Sequence, residues 1–354
     1  MKKNVLKKLL ILAAVTTIGI GGLTACASGD TKTDNTEKQQ EATADGTLSS
    51  EALKKVIIAG AGIDAEGNVS LGGNAEIAKE QGFIEEELNK VGYTAEYVGF
   101  QNAGVGANEA LAAKEADIAI YGDFPAITYI ATGNDARIFA GDSTRNQLGI
   151  FAREGIDDVK DLKGKKICTM LGTTAYLYLV NQLQEAGLSI DDVEVVNSAA
   201  DAASLFLSGE VDAIANGPQL FWSIQLQGGK GKQIAVNGNS EELSSYNVVI
   251  GRSEFLDENS EVEQAIVNAL ERAHQWANEN EQGVYDSLAK ASGYFTAEQF
   301  KEYYSFEDNF DDMAPEITDA YTTHLQKVAD FLYESKAVQN QISVADYLEK
   351  ISIQ

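Results

Sequence analysis

The sequence predicts an α/β fold in which mainly parallel sheets are flanked by helices, with a helical tail at the C-terminus. Strand-like and helix-like segments alternate from residue 54 to about residue 235, and after about residue 255 the pattern is helical only. Hydrophobic residues make up 44% of the 354-residue chain, enough for a substantial core. Alternation of this kind is typical of parallel sheets with helices on both faces.

The first series of segments runs to about residue 143. Short apolar or alternating runs predict strands, and apolar residues spaced three and four apart predict helices. The predicted strands are KKVIIAGAG (54–62), YTAEYVGF (93–100), DIAIYG (117–122) and RIFAGDS (137–143), and the predicted helices are AEIAKEQGFIEEELNKVG (75–92, interrupted at Gly82), ANEALAAKEA (107–116) and FPAITYIATG (124–133).

A second series of the same kind follows, and helices complete the chain. The series consists of LGIFARE (148–154), VKDLKGKKICTM (159–170), TTAYLYLVNQLQEAG (173–187), DVEVVNS (192–198), DAASLFLSGE (201–210), VDAIANG (211–217) and FWSIQLQGG (221–229). Amphipathic helices are predicted at 260–280, 296–304 and 316–336. We expect this tail to return and pack against the first series.

The N-terminus has the pattern of a lipoprotein signal peptide. Lysines between residues 2 and 8 precede an uncharged apolar run at 9–20 and the motif Leu23-Thr24-Ala25-Cys26. We therefore expect removal of residues 1–25 and attachment of lipid to the Cys26 sulfur. A transmembrane anchor is the alternative, but the apolar run is short and contains a glycine. The polar residues 26–50 predict a disordered tether.

Composition narrows the possible functions further. The chain holds 54 acidic and 27 basic residues, a net charge of −27. Such acidity argues against nucleic-acid binding and against a polybasic membrane-surface mode. The two cysteines are Cys26 and Cys168. With Cys26 carrying lipid, no disulfide is expected, and Cys168 is predicted to be a buried strand residue.

Several predicted strands run into glycine, serine or threonine residues that begin a predicted helix. These junctions lie at Gly104–Gly106, Asp123, Thr173–Thr174, Ser198–Asp201 and Asn216–Pro218. Ligands of open α/β sheets bind beyond the carboxyl ends of strands, where free backbone N–H groups at helix starts hold anions and carbonyl oxygens. Ordinary helix capping is the alternative interpretation of any single junction.

Catalytic and metal-binding signals are weak. The two histidines, His274 and His324, lie in predicted helices, where surface or packing roles are the expectation. Common catalytic and phosphate-binding motifs are absent from the sequence. Asp64, Glu66 and Asp123 could share a metal, but an acid-rich chain produces such sets by chance. We expect no metal, no cofactor and no enzymatic activity.

Three segments together resemble the solute-binding lipoproteins of nitrate-, sulfonate- and taurine-type ABC importers. They are AKEQGFIEEELNKVGYTAEYVGF, EALAAKEADIAIYGDFPAI and the stretch from GIDDVKDLKGKKICTMLGTTAYLYLV to VDAIANGPQL. The resemblance implies a two-lobed fold of the periplasmic-binding-protein type II. It places one lobe at 51–145 and 236–354 and the other at 146–235. The protein would be an extracytoplasmic monomer, anchored through Cys26 to the outer face of the cell membrane. It would deliver a small-molecule solute to ABC permease subunits.

The resemblance also implies a set of solute-binding residues at the cleft between the lobes. Amide and hydroxyl groups of the set would donate to an acidic head group, and its aromatic rings would pack on the organic part. The set comprises Ala61, Gly62, Gly104, Gly106, Asp123, Phe124, Thr173, Thr174, Tyr176 and Asn216.

Two features set the chain apart from this pattern and weaken any transfer of ligand identity. Many relatives have a tryptophan, an acid and a proline where this chain has Asn216, Gly217 and Pro218, so the aromatic wall is either missing or supplied by Phe221 or Trp222. The first loop is long and carries two acidic residues. The negative charge of Asp123 near the pocket would disfavour a simple anion, unless Asp123 binds an amine of the solute or only caps its own helix. A zwitterion or a neutral heterocycle is therefore also a possible solute. Arg145 is a candidate counter-charge.

Two other function classes remain open at this point. Same-fold enzymes act in thiamine-pyrimidine and quinone synthesis, but those activities need reactive side chains and a cytosolic location. A surface sensor or adhesin subunit would recognise a protein rather than a solute. Capture of a sulfonate-, taurine- or nitrate-like solute is the function that the sequence favours.

Overall fold

A computed structural model of the chain describes residues 53–60, 62–63, 67–198, 201–237, 244–293, 295–304 and 310–353. The predicted signal peptide, Cys26 and the tether lie outside these residues. None of the helices in the described part of the chain combines the length and apolar character that a membrane span needs.

Twelve strands alternate with helices through the first two thirds of the described chain. The strands are β1 (Lys54–Gly60), β2 (Gly62–Ile63), β3 (Val69–Ser70), β4 (Tyr93–Gly99), β5 (Ile118–Gly122), β6 (Ala136–Asn146), β7 (Gly149–Ala152), β8 (Lys166–Thr169), β9 (Glu194–Asn197), β10 (Ala213–Asn216), β11 (Lys232–Val236) and β12 (Ser245–Arg252).

The helices are α1 (Gly73–Glu80), α2 (Phe83–Lys90), α3 (Gly104–Ala112), α4 (Asp123–Ala131), α5 (Thr174–Glu185), α6 (Ala202–Ser208), α7 (Pro218–Leu226), α8 (Ser253–Glu258), α9 (Ser260–Glu279), α10 (Glu281–Ser292), α11 (Ala297–Tyr303) and α12 (Asp319–Glu334). Short 3₁₀ turns occupy Val159–Leu162, Ile190–Asp192, Asp311–Met313 and Val344–Tyr347.

The strands form two five-stranded sheets and a small hairpin. The first sheet has the order β4-β1-β5-β12-β6, the second has the order β11-β7-β10-β8-β9, and β2 pairs with β3. Each large sheet is mixed, and in each of them one strand runs against the other four. In the first, β12 runs antiparallel to β5 and β6. In the second, β7 runs antiparallel to β10 and β11.

The first sheet is covered by helices on both faces. Ile58 packs in a core cluster with residues of α1, α2 and α9, whereas its neighbour Ala59 packs with residues of α3, α4 and α12. Successive side chains of a strand point to opposite faces, so a strand buried on both sides becomes apolar throughout. This explains the continuous apolar runs of β1 and β5.

The second sheet is built in the same way on a smaller scale. Ile150 packs with α5 residues on one face, and Phe151 packs with α6 and α7 residues on the other. Cys168 of β8 is a free, fully buried cysteine, as predicted. The strands of this sheet all lie between Gly149 and Val236. The exact lobe boundaries given by the sequence remain a prediction.

The C-terminal helices pack against the first sheet's helices. Helix α9 lies against α1 and α2, and α12 lies against α4. The chain crosses between the two sheets after β6 and again before β12. At these crossings the Leu148 N–H donates to Asn237 Oδ1 over 3.0 Å, which joins the two connecting segments.

Candidate functional site

A cavity of about 340 Å³ lies between elements around the first sheet and helix α7, which packs on the second sheet. We call it the main cavity because of this position; a larger space of about 580 Å³, lined by Phe139 and residues 315–319 and 350–353, lies away from α7. The walls of the main cavity come from the hairpin and the start of α1, from the ends of β6 and β12, from α7, and from α10 and α11. The lining residues are Gly62, Ile63, Asn68, Ser70, Gly72, Gly73, Glu76, Asn146, Gln219, Asn247, Leu288, Ala291, Ser292, Phe295, Phe300, Tyr303 and Tyr304. A volume of this size accommodates a small organic molecule.

One end of the main cavity is the first turn of α1. Gly72 and Gly73 have positive φ angles of 73° and 50°, which glycine adopts without steric cost. Glu76 lies in that turn and is buried. Its Oε2 accepts a hydrogen bond from the Leu71 N–H over 2.7 Å, and its Oε1 lies 2.7 Å from Lys79 Nζ. The helix start is therefore already occupied by a carboxylate of this chain.

A second carboxyl group, Asp142 of β6, lies beneath the same turn. Its Oδ1 accepts from the Ala75 N–H over 2.5 Å, and its Oδ2 accepts from Asn247 Nδ2 over 3.3 Å. Burial raises the pKa of Asp142 to about 7 against these hydrogen bonds. A Cβ atom on Gly73 would lie only 2.4 Å from Asp142 Oδ2, so this close approach requires glycine.

The opposite wall of the main cavity contains four aromatic rings, those of Phe295 just before α11, Phe300 and Tyr303 on α11, and Tyr304 directly after it. Trp222 of α7 packs edge-on against three of the four rings, with centroid distances of 5.3 Å to Phe295, 6.0 Å to Phe300 and 6.3 Å to Tyr303. Tyr303 Oη accepts from the Gln147 N–H over 2.8 Å, at the crossing between the sheets. The wall is thus tied to the second sheet through α7.

Asp123 lies at the start of α4 and is completely buried. Its Oδ1 accepts from the Phe124 N–H and from the Thr174 hydroxyl, both over 2.7 Å. Its Oδ2 accepts from the Tyr246 N–H over 2.9 Å and lies 2.7 Å from His324 Nε2. We call these residues the Asp123 cluster. Because Thr174 begins α5, the cluster joins a helix of the first sheet to a helix of the second.

His324 of α12 completes the Asp123 cluster from the far end of the chain. Its ring stacks on Tyr246 at a centroid distance of 3.6 Å and an interplanar angle of 7°. The expectation of a surface position is wrong for this residue, because it is buried; the packing role is confirmed. Thr174 and His324 line a separate cavity of only about 30 Å³. That space corresponds to about one water molecule.

The structure distributes the other predicted site residues over several places. Gly62 lines the main cavity. Phe124 is buried and packs against Phe331, 6.1 Å away between centroids. Thr173 is the N-cap of α5 and accepts from the Tyr176 N–H over 3.4 Å, while Asn216 accepts from its neighbour's N–H. The Thr173 side chain therefore caps a helix start, whereas Asn216 makes a local contact just before α7. Their solute-binding roles, and that of Tyr176, remain predictions.

Gly104 and Gly106 begin α3, and both are packed closely by other groups. A Cβ on Gly104 would lie 2.5 Å from Pro125 Cγ, and one on Gly106 would lie 2.3 Å from Asn102 Oδ1. Their smallness therefore serves helix packing, whatever their amides bind. Ala61 and the acidic pair Asp64 and Glu66 lie outside the described residues, and so does the side chain of Arg145.

The proposed replacements for the missing aromatic wall behave differently from each other. Phe221 is buried and stacks on Phe151 at 5.2 Å, inside the second sheet's core. Trp222 stands directly behind the ring wall of the main cavity, as described above. The role of the four rings, which lie on α11 and directly beside it, is not predicted by the sequence, which indicates only an amphipathic helix at 296–304.

Reactive groups are scarce in the described part of the chain. No three His, Cys, Asp or Glu side chains converge there into a metal site. Burial raises the pKa of the Cys168 thiol, whose Sγ lies 3.3 Å from the Ser198 carbonyl oxygen. A thiol in that setting is a poor nucleophile.

Comparison with known proteins identifies relatives along most of the chain. Residues 77–283 match the family described as NMT1/THI5 like. A candidate aliphatic sulfonates-binding protein of Bacillus subtilis is 30% identical over 287 residues, which cover 78% of this chain and 82% of that protein.

Solved structures share the fold. A candidate periplasmic sulfonate-binding protein of Methylobacillus flagellatus is 25% identical, with a TM-score of 0.71 and coverage of 85% of this chain and 92% of that one. The alkanesulfonate-binding protein of Xanthomonas axonopodis, bound to MOPS, is 20% identical, with a TM-score of 0.69 and coverage of 86% and 100%. The desulfurization enzyme DszB is 15% identical, with a TM-score of 0.63 and coverage of 84% and 96%. The two-sheet, periplasmic-binding-protein-like fold predicted from sequence is confirmed.

Proposed function

This chain belongs to the NMT1/THI5-like family, and from that premise we propose that it is the extracytoplasmic solute-binding component of an ABC importer. It captures a small organic solute and delivers it to permease subunits in the membrane. The main cavity is the observation that carries the proposal. It has the size of a small molecule, and its lining includes Gln219 of α7, so a bound solute would contact both the first half of the fold and a helix that packs on the second sheet.

The solute classes to test first are those that the sequence favours, namely sulfonates, taurine and nitrate. The names of the relatives support sulfonates in particular. Attachment of lipid to Cys26 would keep the protein next to its permease. The tether, as a flexible coil of about 25 residues, would reach roughly 28 Å from the surface.

An enzyme on the same fold is the weaker alternative. Thr174 and His324 are both within hydrogen-bond distance of Asp123, an arrangement similar to a hydroxyl, carboxylate and imidazole set of an enzyme. They line only the small cavity of about 30 Å³. Cys168 is buried within the second sheet. Neither arrangement exposes a nucleophile to a substrate.

Calorimetric titration of the full chain in detergent tests the proposal. Alkanesulfonates, taurine, nitrate, carboxylates and amines form the panel. We expect one of them to bind one to one and to be recovered unchanged. At 100 times its Kd this solute should raise the free energy of unfolding by about 2.7 kcal/mol. If no compound binds, or if a bound compound is converted, the proposed function is wrong.

A matched pair of variants locates the binding site. Ser70→Leu adds bulk inside the main cavity, whereas Ser204→Leu makes the same change on the exposed face of α6. We expect Ser70→Leu to weaken solute binding at least about 100-fold, because the cavity is small enough for one side chain to block. Ser204→Leu should bind normally. Full affinity in Ser70→Leu would exclude the main cavity as the site.

A further inference from the structure

Two carboxyl groups, those of Glu76 and Asp142, lie at the α1 end of the main cavity, and Glu76 is part of its lining. Glu76 is a lining residue and only 1% exposed. Asp142 lies directly behind the cavity wall at Gly73 and is fully buried. No lysine, arginine or histidine is among the described residues that line the cavity. Among the described lining residues, a bound solute therefore meets one acidic side chain and no basic one.

One of the backbone groups that would bind an anion here is already in use. In α/β proteins the N–H groups at a helix start are the ordinary place for an acidic head group. At α1 the Ala75 N–H donates to Asp142, and just before the helix the Leu71 N–H donates to Glu76. An anionic solute would have to displace Asp142 from the Ala75 N–H, and Glu76 on the cavity wall would disfavour its negative charge.

Cations close to the cavity are committed elsewhere. Lys79 pairs with Glu76 from outside the cavity lining and also donates to the Val69 carbonyl oxygen. Lys290 of α10 is exposed and pairs with Glu80. Asp142 receives only neutral donors in its hydrogen bonds, from Ala75 and Asn247. The α1 end therefore holds two carboxyl groups and one lysine, and that lysine contacts Glu76 from outside the cavity lining.

The ring wall at the other end suits the body of a cation. Phe295, Phe300, Tyr303 and Tyr304 present apolar surface and aromatic rings to the cavity. Aromatic faces attract ammonium and amidinium groups, and they pack well against flat or branched hydrocarbon. The amide side chains of Asn146, Asn247 and Gln219 lie between the two ends and offer further polar contacts.

Resting on the proposed function, we propose that the solute is an organic cation: a small molecule with a protonated amine or amidinium group on an apolar body. The positive group is held at the Glu76 end and the body lies against the ring wall. The selectivity of this cavity is thus opposite in sign to that of a receptor for a simple sulfonate.

Three probes with the same ring test the charge preference on the full chain in detergent: benzylamine, benzyl alcohol and benzenesulfonate. We expect benzylamine to bind at least tenfold more tightly than benzenesulfonate, with benzyl alcohol between them. Tighter binding of benzenesulfonate would overturn the inference and leave the proposed function standing. Failure of all three probes, and of the wider panel above, would overturn both.

Variants on α1 connect the preference to Glu76. Glu76→Gln should weaken benzylamine at least tenfold and leave benzyl alcohol unchanged, whereas Glu80→Gln, one turn along the same helix and outside the cavity, should change neither. Lys79→Met removes the lysine that pairs with Glu76, and we expect severalfold tighter benzylamine binding. A gain of affinity cannot come from misfolding. If Lys79→Met binds benzylamine no better than the natural chain, Glu76 does not hold the positive group.

Discussion

At the scale of single residues, the sequence gives the chemical type of each side chain but not its contacts in the folded protein. Asp142 ends a strand-like segment that was correctly predicted, and nothing near it in the sequence announces burial. Its donor Ala75 lies 67 positions earlier in the chain. Asp123 was foreseen as a helix-start residue from the proline that follows it. Its contact with His324 spans 201 positions and has no local signal.

Asp142 should make stability depend on pH in an unusual direction. Its pKa is raised by burial from 3.8 to about 7, so the folded state binds the proton more tightly than the unfolded state does. The contribution to the free energy of unfolding is therefore fully present below about pH 4. It is lost as pH rises towards 7, and the loss amounts to about 2–4 kcal/mol.

Asp142→Asn removes this titration. We compare the free energy of unfolding of the variant with that of the natural chain at pH 4.5 and at pH 8. We expect the difference to shift in favour of the variant by about 2–4 kcal/mol from the lower to the higher pH, because an amide does not ionise. Urea unfolding at the two pH values measures the difference. A difference between the two proteins that is the same at both pH values would show that Asp142 does not titrate in this range.

At the scale of elements, strands and helices were predictable, but their directions were not. Apolar runs identify β1, β5, β8 and β10 because both faces of these strands are covered. The same runs carry no information about direction. β12, which was not predicted, lies antiparallel between β5 and β6, and this pairing depends on a chain reversal more than a hundred residues after β5.

The junction of α4 with α5 is an element-scale contact that a single substitution can probe. Thr174→Val keeps the shape of the side chain but removes the hydroxyl that donates to Asp123 Oδ1. A hydrogen bond to a charged group contributes about 1.5–3 kcal/mol. Since Asp123 keeps its other partners, we expect a loss of about 1–2 kcal/mol in the free energy of unfolding, measured by urea denaturation.

The control for this prediction is Thr323→Val on α12, an exposed position where the hydroxyl donates to the Asp319 carbonyl oxygen. Its effect should stay within about 0.5 kcal/mol. If Thr174→Val is as stable as the natural chain, the hydrogen bond between Thr174 and Asp123 does not stabilise the junction of α4 with α5. A fall in solute affinity without a fall in stability would instead support the sequence prediction that Thr174 binds the solute.

At the scale of the whole molecule, the alternation of segments predicted the two sheets and the helical tail. The main cavity was less accessible to sequence reasoning. Of the predicted site residues that the structure describes, Gly62 alone lines it, since its ring wall comes from the tail and its acidic end from a strand and a helix far apart in sequence. Patterns local to one junction cannot show which distant helix closes over it.

Membrane attachment is also a property of the whole chain, and it can be tested without the structure. Cys26→Ser removes the sulfur that we propose carries lipid, so the chain should move from the membrane fraction to the soluble or secreted fraction. Immunoblotting of the fractions measures this change. Cys168→Ser is the matched control, because Cys168 is buried in the fold, and it should leave the chain on the membrane. Retention of Cys26→Ser on the membrane would contradict the lipid anchor.

The position of β12 in the first sheet has a consequence for biosynthesis. Strands β5 and β6 are made early, but the strand that separates them arrives only at Ser245–Arg252, and His324 reaches Asp123 later still. Neither the sheet nor its buried carboxylate can be completed while the ribosome is still working on the first two thirds of the chain. Pairings so distant in sequence also form slowly. A precursor that crosses a translocon in the unfolded state would therefore stay unfolded for longer, because the late strand and helix delay completion of the fold.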